Sequence, residues 1–253
     1  MIKFFRKIRQ KLLEENRFSK YLLYAIGEIV LVVIGILIAL KINNLNENAK
    51  SIKLEKTYYC KIAEDLQVDI KNIDSSMATI DKRLEATERF LKNLLKIQND
   101  KAVIFKDFLT TFRHYKFIPT KAAITDITSS GKLEQLRNQT LKKRILGHYT
   151  AQDNATIIID VNYNVITERL FDLEKYAAFG VQEVPQYQSM FDEELQGLLS
   201  SMEWQQNPDD ELFVKTKNLM ILSMINAERE KDLLRGIKAD AEELNDLLVE
   251  NCN

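Results

Sequence analysis

The apolar residues of this chain follow two kinds of pattern, one continuous run and several periodic stripes. The run covers residues 21–40 and contains one ionisable side chain, Glu28. At about 1.5 Å per residue, a helix of this length reaches roughly 30 Å, the thickness of the hydrocarbon core of a bilayer. The run therefore predicts a transmembrane helix at residues 21–42. A buried core helix is the alternative, but core helices are rarely apolar on every face over this length.

Beyond residue 42 the apolar residues recur every three or four positions, which predicts long amphipathic helices. The first stripe lies between about residues 47 and 98, and its spacing is heptad-like, as in a coiled coil. Four Asn residues between 43 and 48 mark a point where this helix can separate from the transmembrane helix. The stripe consists of Tyr59, Ile62, Leu66, Ile70, Ile73, Met77, Ile80, Leu84, Leu91 and Leu94, with Thr87 as its one polar member.

Two further stripes predict long helices over residues 134–178 and from Pro208 to the C-terminus. The β-branched segment 157–161 also fits a strand, but its flanks are helical in character and we assign it to the helix. The first of these stripes consists of Leu141, Ile145, Tyr149, Ile158, Val161, Val165, Leu170, Leu173 and Ala177. The second consists of Leu212, Leu219, Leu222, Ile225, Leu233, Ile237, Ala241, Leu244 and Leu248.

Shorter elements are predicted between the long helices. An apolar segment at 102–118 ends before Pro119, and Thr120 is the predicted N-cap of a short helix that stops at Gly131. Residues 180–208 are predicted to be mostly loop, with a short helix at 189–199. These patterns together predict an all-α chain with an N-terminal amphipathic segment, one transmembrane helix and an antiparallel bundle of long helices.

Charge is distributed unevenly along the chain. Residues 1–20 carry seven Lys or Arg and two acidic residues, whereas residues 41–253 carry 29 basic and 34 acidic residues. Next to the span, seven cations precede it, whereas Lys41, Lys50 and Lys53 are the only ones in the 15 residues after it. The positive-inside rule, which counts cations beside the span, therefore places the N-terminus in the cytoplasm and the domain at residues 43–253 outside it. A mildly acidic large domain also argues against nucleic acid as a partner.

The basic segment at residues 1–20 also carries apolar residues at helical spacing. Phe4, Phe5, Ile8 and Leu12 form one face, with cations on the others, which is typical of a helix that lies in the headgroup region of a bilayer. A disordered basic tail is the alternative.

The residues at the end of the apolar run indicate whether the run is a cleaved signal peptide or an uncleaved membrane anchor. A cleaved signal peptide would have a shorter apolar region followed by a small-x-small site. The segment Ile38–Asn43 contains no such site, so an uncleaved anchor is favoured.

The block Leu13–Leu40, followed by Ile42–Asn44, resembles the N-terminal signature of a family of uncharacterised bacterial membrane proteins, a domain of unknown function. The resemblance covers about residues 1–50 and is looser around 119–120 and 129–133. It implies a single-pass bacterial membrane protein, for which we expect a location in the inner membrane. It implies no activity, because none is assigned to the family.

Glu28 is the most distinctive candidate functional residue. An ionised acid in the centre of a membrane span costs about 2.5–3.5 kcal/mol on insertion scales, so such residues usually face a partner helix or a hydrated cavity. Gly27, Gly35 and Ala39 form a nearby small-residue face that predicts helix–helix packing. Three interpretations stay open: a protonated Glu28 bonded across a homo-oligomer, a proton- or ion-conducting group, and a side chain that extends to the cytoplasmic interface.

Cys60 and Cys252 are the only two cysteines of the chain. If the last helix returns beside the first, the two lie close together and can form a disulfide in an oxidising compartment. Unpaired cysteines are the alternative. His114 and His148 have no metal-ligand spacing and are predicted to be surface or packing residues.

The sequence contains no nucleophile elbow, phosphate-binding Gly loop or zinc motif, so we expect no enzyme activity and no cofactor. The expected function is that of a membrane-anchored, oligomeric envelope protein. Its periplasmic helical domain would bind a partner or sense a ligand, and its partners would be the lipid bilayer, further copies of itself and an envelope protein. The alternative function is that of a subunit in an ion- or proton-coupled membrane complex that uses Glu28.

Overall fold

The computed structural model describes residues 18–96, 101–173, 182, 185–199 and 204–252, and all regular structure in these ranges is helical. The all-α prediction is therefore confirmed. Residues 1–17 of the predicted amphipathic segment lie outside the described ranges. The helices are α1 Phe18–Leu95, α2 Lys101–Thr111, α3 Ala122–Ser129, α4 Gln139–Phe171, α5 Pro185–Gln188, α6 Glu193–Leu198 and α7 Glu211–Cys252, with 3₁₀ turns at Lys132–Gln135 and Trp204–Gln206.

The chain divides into two units between Lys56 and Thr57. In the N-terminal unit, the described residues belong to α1, and nearly all of their side chains from Ile29 to Lys50 are exposed. Helix α1 continues without a break through the Asn-rich residues 43–48. The physical reason is that Asn costs less than about 0.7 kcal/mol per helical position, which is too little to end a long helix.

In the C-terminal unit, the predicted stripe on α1 faces the interior. Ile62, Leu66, Ile73 and Leu94 are fully buried, and the intermediate members Ile70, Met77, Leu84 and Leu91 are half-buried. One core cluster joins Ile73 and Ile80 to α4 and α7, and a second joins Phe90 and Leu94 to α2, α4 and α7. The first stripe is therefore confirmed as the core face of its helix.

The stripes predicted for α4 and α7 are partly wrong. Ile158, Val161, Val165 and Ile225 are exposed, at 36%, 56%, 43% and 59% of their side-chain surface. The buried positions of α4 in this region are Ala155, Ile159 and Ile166 instead. Both faces of this helix carry branched apolar residues at helical spacing, so the apolar pattern alone does not decide which face is buried.

The start of α3 also differs from its prediction. Lys121 rather than Thr120 is the N-cap residue, and its side chain makes no capping bond. The carboxylates of Asp65 and Asp69 on α1 accept hydrogen bonds from the backbone N–H groups of Ala123 and Thr120, each at 2.8 Å. The cap therefore comes from a distant helix, which satisfies the free N–H groups of a helix N-terminus equally well.

Other helix ends follow local rules. Gly131 has φ +69°, which confirms it as the stop after α3, because the left-handed region favours glycine. Helix α4 starts at Gln139 rather than at 134, since the Asn138 side chain accepts a hydrogen bond from the N–H of Leu141 at 3.0 Å. Helix α7 starts at Glu211, where Asp210 accepts from the N–H of Leu212 at 2.8 Å.

Pairs of side chains within the C-terminal unit give the directions of the long helices. Asp74 on α1 pairs with Lys238 on α7 at 2.7 Å, and Gln67 bonds to Asn245 at 3.4 Å. Asp81 pairs with Lys231 in the same way. Residue numbers rise on α1 as they fall on α7, so the last helix returns beside the first.

Candidate functional site

The apolar part of α1 is exposed along its length. An 18-residue window of this helix has a mean hydropathy of 2.6, and none of it is buried. By length and composition it is able to cross a membrane, and it is the one helix of the described residues that meets this test. In the C-terminal unit many leucines and isoleucines are buried in a core, whereas none of the residues in this window is buried.

The predicted membrane residues all lie on this part of α1. Glu28 is half-buried, whereas Gly27, Gly35 and Ala39 are exposed. A Cβ atom built at Gly27 or Gly35 meets no atom of the described chain within 4 Å. The small-residue face is therefore open in a single copy of the protein.

The two cysteines meet at one end of the C-terminal unit. Cys60 of α1 and Cys252 of α7 are joined as a disulfide, with their Cα atoms 5.2 Å apart. This separation is usual for disulfides. It follows from the return of α7 beside α1, and the bond links residues 192 positions apart in the sequence.

A charged cluster lies in the interior between α1, α7 and the segment after α2. Arg83 Nη1 is 2.7 Å from Glu230 Oε2, and the Nδ1 atom of His114 is 3.5 Å from Glu230 Oε1. The side chains of all three are at most 10% exposed. His114 also stacks on Tyr163, with ring centroids 4.1 Å apart. We refer to Arg83, His114 and Glu230 as the interior triad.

Burial lowers the pKa of His114, and it outweighs the attraction of the neighbouring Glu230 carboxylate. A cavity of about 20 Å³ adjoins the triad and is lined in part by Asn162, Ser223 and Asn226. Such a volume holds about one water molecule. Within the triad, Arg83 and Glu230 therefore pair their charges, and the cavity beside them is too small for an organic substrate.

A second polar group joins α4 to α7. His148 Nδ1 is 2.6 Å from Asp240 Oδ2, and Arg144 Nη2 is 2.7 Å from Asp240 Oδ1. Burial opposes ionisation of Asp240, but the hydrogen bonds from Arg144 and His148 hold its pKa below the usual value. His148 is 1% exposed, and its Nε2 atom has no hydrogen-bond partner among the described residues.

A histidine paired with a carboxylate is also the arrangement that activates a nucleophile in hydrolases. The groove of about 240 Å³ beside His148 is lined by Ala151, Gln152, Ala155, Asp232, Leu233, Gly236, Ile237 and Asp240. None of these lining residues is a Ser, Thr or Cys. The described part of the chain also contains no group of three or more His, Cys, Asp or Glu side chains that could hold a metal ion.

A third polar group lies around Asp69, which is fully buried. Its carboxylate accepts from Thr120 N–H and from Gln152 Nε2, both at 2.8 Å. Burial raises the pKa of the nearby Tyr149, and the negative charges of Asp65 and Asp69 raise it further. Asp69 thus links α1 to α4 and to the segment that precedes α3.

Sequence reasoning did not single out the interior triad as a unit, although a signal was present. Glu230 stands three residues after Ala227 and four before Leu234, which are both buried. Extending the apolar stripe of α7 by its own spacing would have placed a carboxylate in the core. Arg83 is similarly buried between Ile80 and Leu84, next to the predicted stripe. Because a buried charge needs a partner, a carboxylate on the core face of one helix predicts a cation such as a guanidinium on the core face of another.

The described residues define an all-helical protein that has one helix able by length and composition to cross a membrane and, in its C-terminal unit, a buried ion pair between Arg83 and Glu230. The chain belongs to the family of unknown function DUF6090, whose model matches residues 28–168. This confirms the resemblance seen in the sequence. The matched region includes Glu28 and Cys60 but not Cys252. Comparison with curated proteins and with solved structures gave no match.

Proposed function

We propose that this protein is a single-pass, membrane-anchored envelope protein that acts by binding rather than by catalysis. Residues 21–42 span the inner membrane of a bacterium, residues 1–20 lie on the cytoplasmic side, and residues 43–253 form an antiparallel helical bundle in the periplasm. The observation that carries the proposal is the exposed 18-residue window of α1, with its mean hydropathy of 2.6. Such a surface is stable in lipid and costly in water.

Two further features support this orientation. Seven cations precede the span in residues 1–20, whereas only Lys41, Lys50 and Lys53 lie in the 15 residues after it, which favours a cytoplasmic N-terminus by the positive-inside rule. The disulfide between Cys60 and Cys252 supports an oxidising compartment for the C-terminal domain, since such bonds are rare in the bacterial cytosol.

The binding role is supported by an exposed apolar row on the C-terminal unit. Ile158, Val161 and Val165 of α4 are exposed, as is Ile225 of α7. The Asn226 side chain donates to the backbone oxygen of Asn162 at 3.4 Å, which places the two helices side by side here. Exposed apolar rows of this kind mark protein interaction surfaces, and an envelope protein is the proposed partner.

Protease accessibility tests the topology. Intact cells and spheroplasts carrying the full chain would be treated with an external protease, and the fragments would be detected by N-terminal and C-terminal epitopes. We expect loss of the C-terminal epitope in spheroplasts and retention of the N-terminal one. Recovery of the chain in the soluble fraction, or protection of the C-terminal epitope, would contradict the proposal.

A second candidate function is supported by Glu28 alone. A carboxyl group within an apolar span is typical of ion- and proton-coupled membrane complexes. The variant Glu28→Gln would be compared with Glu47→Gln, which changes an exposed carboxylate beyond the run. Loss of ion flux in Glu28→Gln alone, with oligomer assembly retained, would favour this second function. Unchanged flux in both variants would exclude Glu28 from such a role.

A further inference from the structure

Helix α1 carries an exposed apolar stripe in the N-terminal unit, apart from the core. It consists of Ile38, Ile42, Leu45, Ala49 and Ile52, and we refer to it as the Ile38–Ile52 stripe. The four larger residues are exposed by 55%, 62%, 60% and 40%, and Ala49 is exposed as well. The steps along the stripe are four, three, four and three. A strict repeat of 3.5 residues is the seam of a left-handed helical supercoil.

The stripe is narrow, which limits the kind of surface that can pack against it. Asn46 and Asn48 flank it, whereas Asn43 and Asn44 lie on the far side of the helix. On the opposite face Lys50 Nζ pairs with Glu47 Oε1 at 3.0 Å. A helix that packs on a globular core or lies in a lipid surface needs an apolar face about 100° wide or more. A stripe confined to two positions of each heptad fits one neighbouring helix.

We infer that the Ile38–Ile52 stripe is the contact surface for a second copy of this chain, packed in parallel. The inference rests on the proposed function, because anchorage in one membrane gives all copies the same direction. In a parallel pair, the residue that precedes Ile42 or Ala49 in the sequence lies opposite the partner's residue that is five positions further along the chain. Lys41 then faces the partner's Asn46, and Asn48 faces the partner's Lys53, so each cation meets an amide and no like charges oppose each other.

The same repeat extends toward the N-terminus. Glu28 and Gly35 precede Ile42 by fourteen and seven residues, so both share its heptad position. Gly35 has no side chain to separate two backbones, and a Cβ atom built there meets nothing within 4 Å in the described chain. Close approach at small residues is what stabilises helix pairs in lipid. The seam therefore places the Glu28 carboxyl groups of the two copies at their shared interface.

Disulfide crosslinking of the full chain in native membranes tests this surface. Single cysteines would be introduced by Ile42→Cys, Leu45→Cys, Ala49→Cys and Ile52→Cys, with Asn43→Cys, Glu47→Cys and Lys50→Cys as controls on other faces. The wild-type chain gives the background, because its two cysteines are joined to each other. After mild oxidation we expect several-fold more dimer from the four stripe positions than from the three controls.

Two outcomes would overturn the inference: equal crosslinking at all seven positions, and crosslinks that mass spectrometry assigns to a different protein. Fractionation of the same cells separates this test from the proposed function. A chain found in the membrane fraction without the periodic pattern overturns the pairing and leaves the anchor in place. A chain found in the soluble fraction overturns the anchor and, with it, the basis for parallel pairing.

A second variant tests the same surface. Leu45→Lys should lower dimer formation at Ile52→Cys several-fold while Trp204 fluorescence stays native. An unchanged amount of dimer would also overturn the inference.

Discussion

The two units of this protein use similar apolar residues in opposite ways. In the C-terminal unit, Leu66 and Ile73 are fully buried against other helices of the same chain. In the N-terminal unit, Leu37 and Ile42 are 59% and 62% exposed. The difference teaches that the C-terminal unit is stabilised by contacts within the chain, whereas the apolar side chains of the N-terminal unit are not covered by the rest of the described chain.

Removing the disulfide is expected to cause the largest loss of stability in the C-terminal unit. The bond closes a loop of 192 residues, which corresponds to about 5 kcal/mol of free energy of unfolding in the chain-entropy model. The variant Cys60→Ser/Cys252→Ser should lower the stability of the C-terminal unit by up to that amount. Urea unfolding of the full chain in detergent micelles would measure it through the buried Trp204, the one tryptophan of the chain.

A reducing agent provides the control for this prediction. It should destabilise the wild-type chain and leave the double variant unchanged. Equal midpoints for the oxidised wild type and the variant would show that the bond does not stabilise the unit.

Breaking the interior triad should give the next largest loss of unfolding free energy. In Arg83→Met, the Glu230 carboxylate loses its partner in a buried position, and breaking such a pair costs about 3–5 kcal/mol. The double variant Arg83→Met/Glu230→Leu removes both charges and should recover most of the loss. Urea unfolding of the single and double variants measures the difference. A double variant as unstable as Arg83→Met alone would contradict the account.

Matched leucine truncations test the comparison of the units directly. Leu66→Ala removes a fully buried side chain and should cost about 2–5 kcal/mol of unfolding free energy. Leu37→Ala should leave the unfolding midpoint of the C-terminal unit unchanged, because that side chain is 59% exposed and lies in the other unit. A similar loss in both variants would mean that the two units unfold together.

The smallest predicted effect is a dependence of stability on pH that comes from His114. Burial lowers its pKa in the folded state, with Glu230 and Asp160 acting in the opposite direction and Arg83 and Lys116 acting in the same direction as burial. Below about pH 6.5 the unfolded chain therefore binds more protons at this residue than the folded chain does. Stability should fall as the pH decreases from about 7 toward 5.

The variant His114→Gln isolates this contribution, since every other titrating group is retained. Its unfolding free energy should change less over the same pH range than that of the wild type. Equal slopes for the two proteins would contradict the prediction.

The sequence was sufficient for the features that depend on local pattern. The long helices, the buried stripe from Tyr59 to Leu94 and the stop at Gly131 follow from spacing and from backbone preference. It was insufficient where contacts between distant segments decide the outcome. The cap of α3 comes from Asp65 and Asp69 on another helix, and the exposed face of α4 has the same spacing as the buried one.

The candidate sites also differ in whether the sequence alone predicts them. Glu28 and the small residues around it are recognisable from composition, because one carboxyl group within an apolar run is conspicuous. The interior triad is not recognisable in this way, since Arg83, His114 and Glu230 are brought together only by packing.

The position of the two cysteines has a consequence for biosynthesis. Cys252 follows Cys60 by 192 residues, so Cys60 cannot form this bond until the ribosome has added those residues. With two thiols in the chain, a single intramolecular pairing exists. An oxidant that acts on Cys60 before Cys252 has been made would therefore link Cys60 to another molecule.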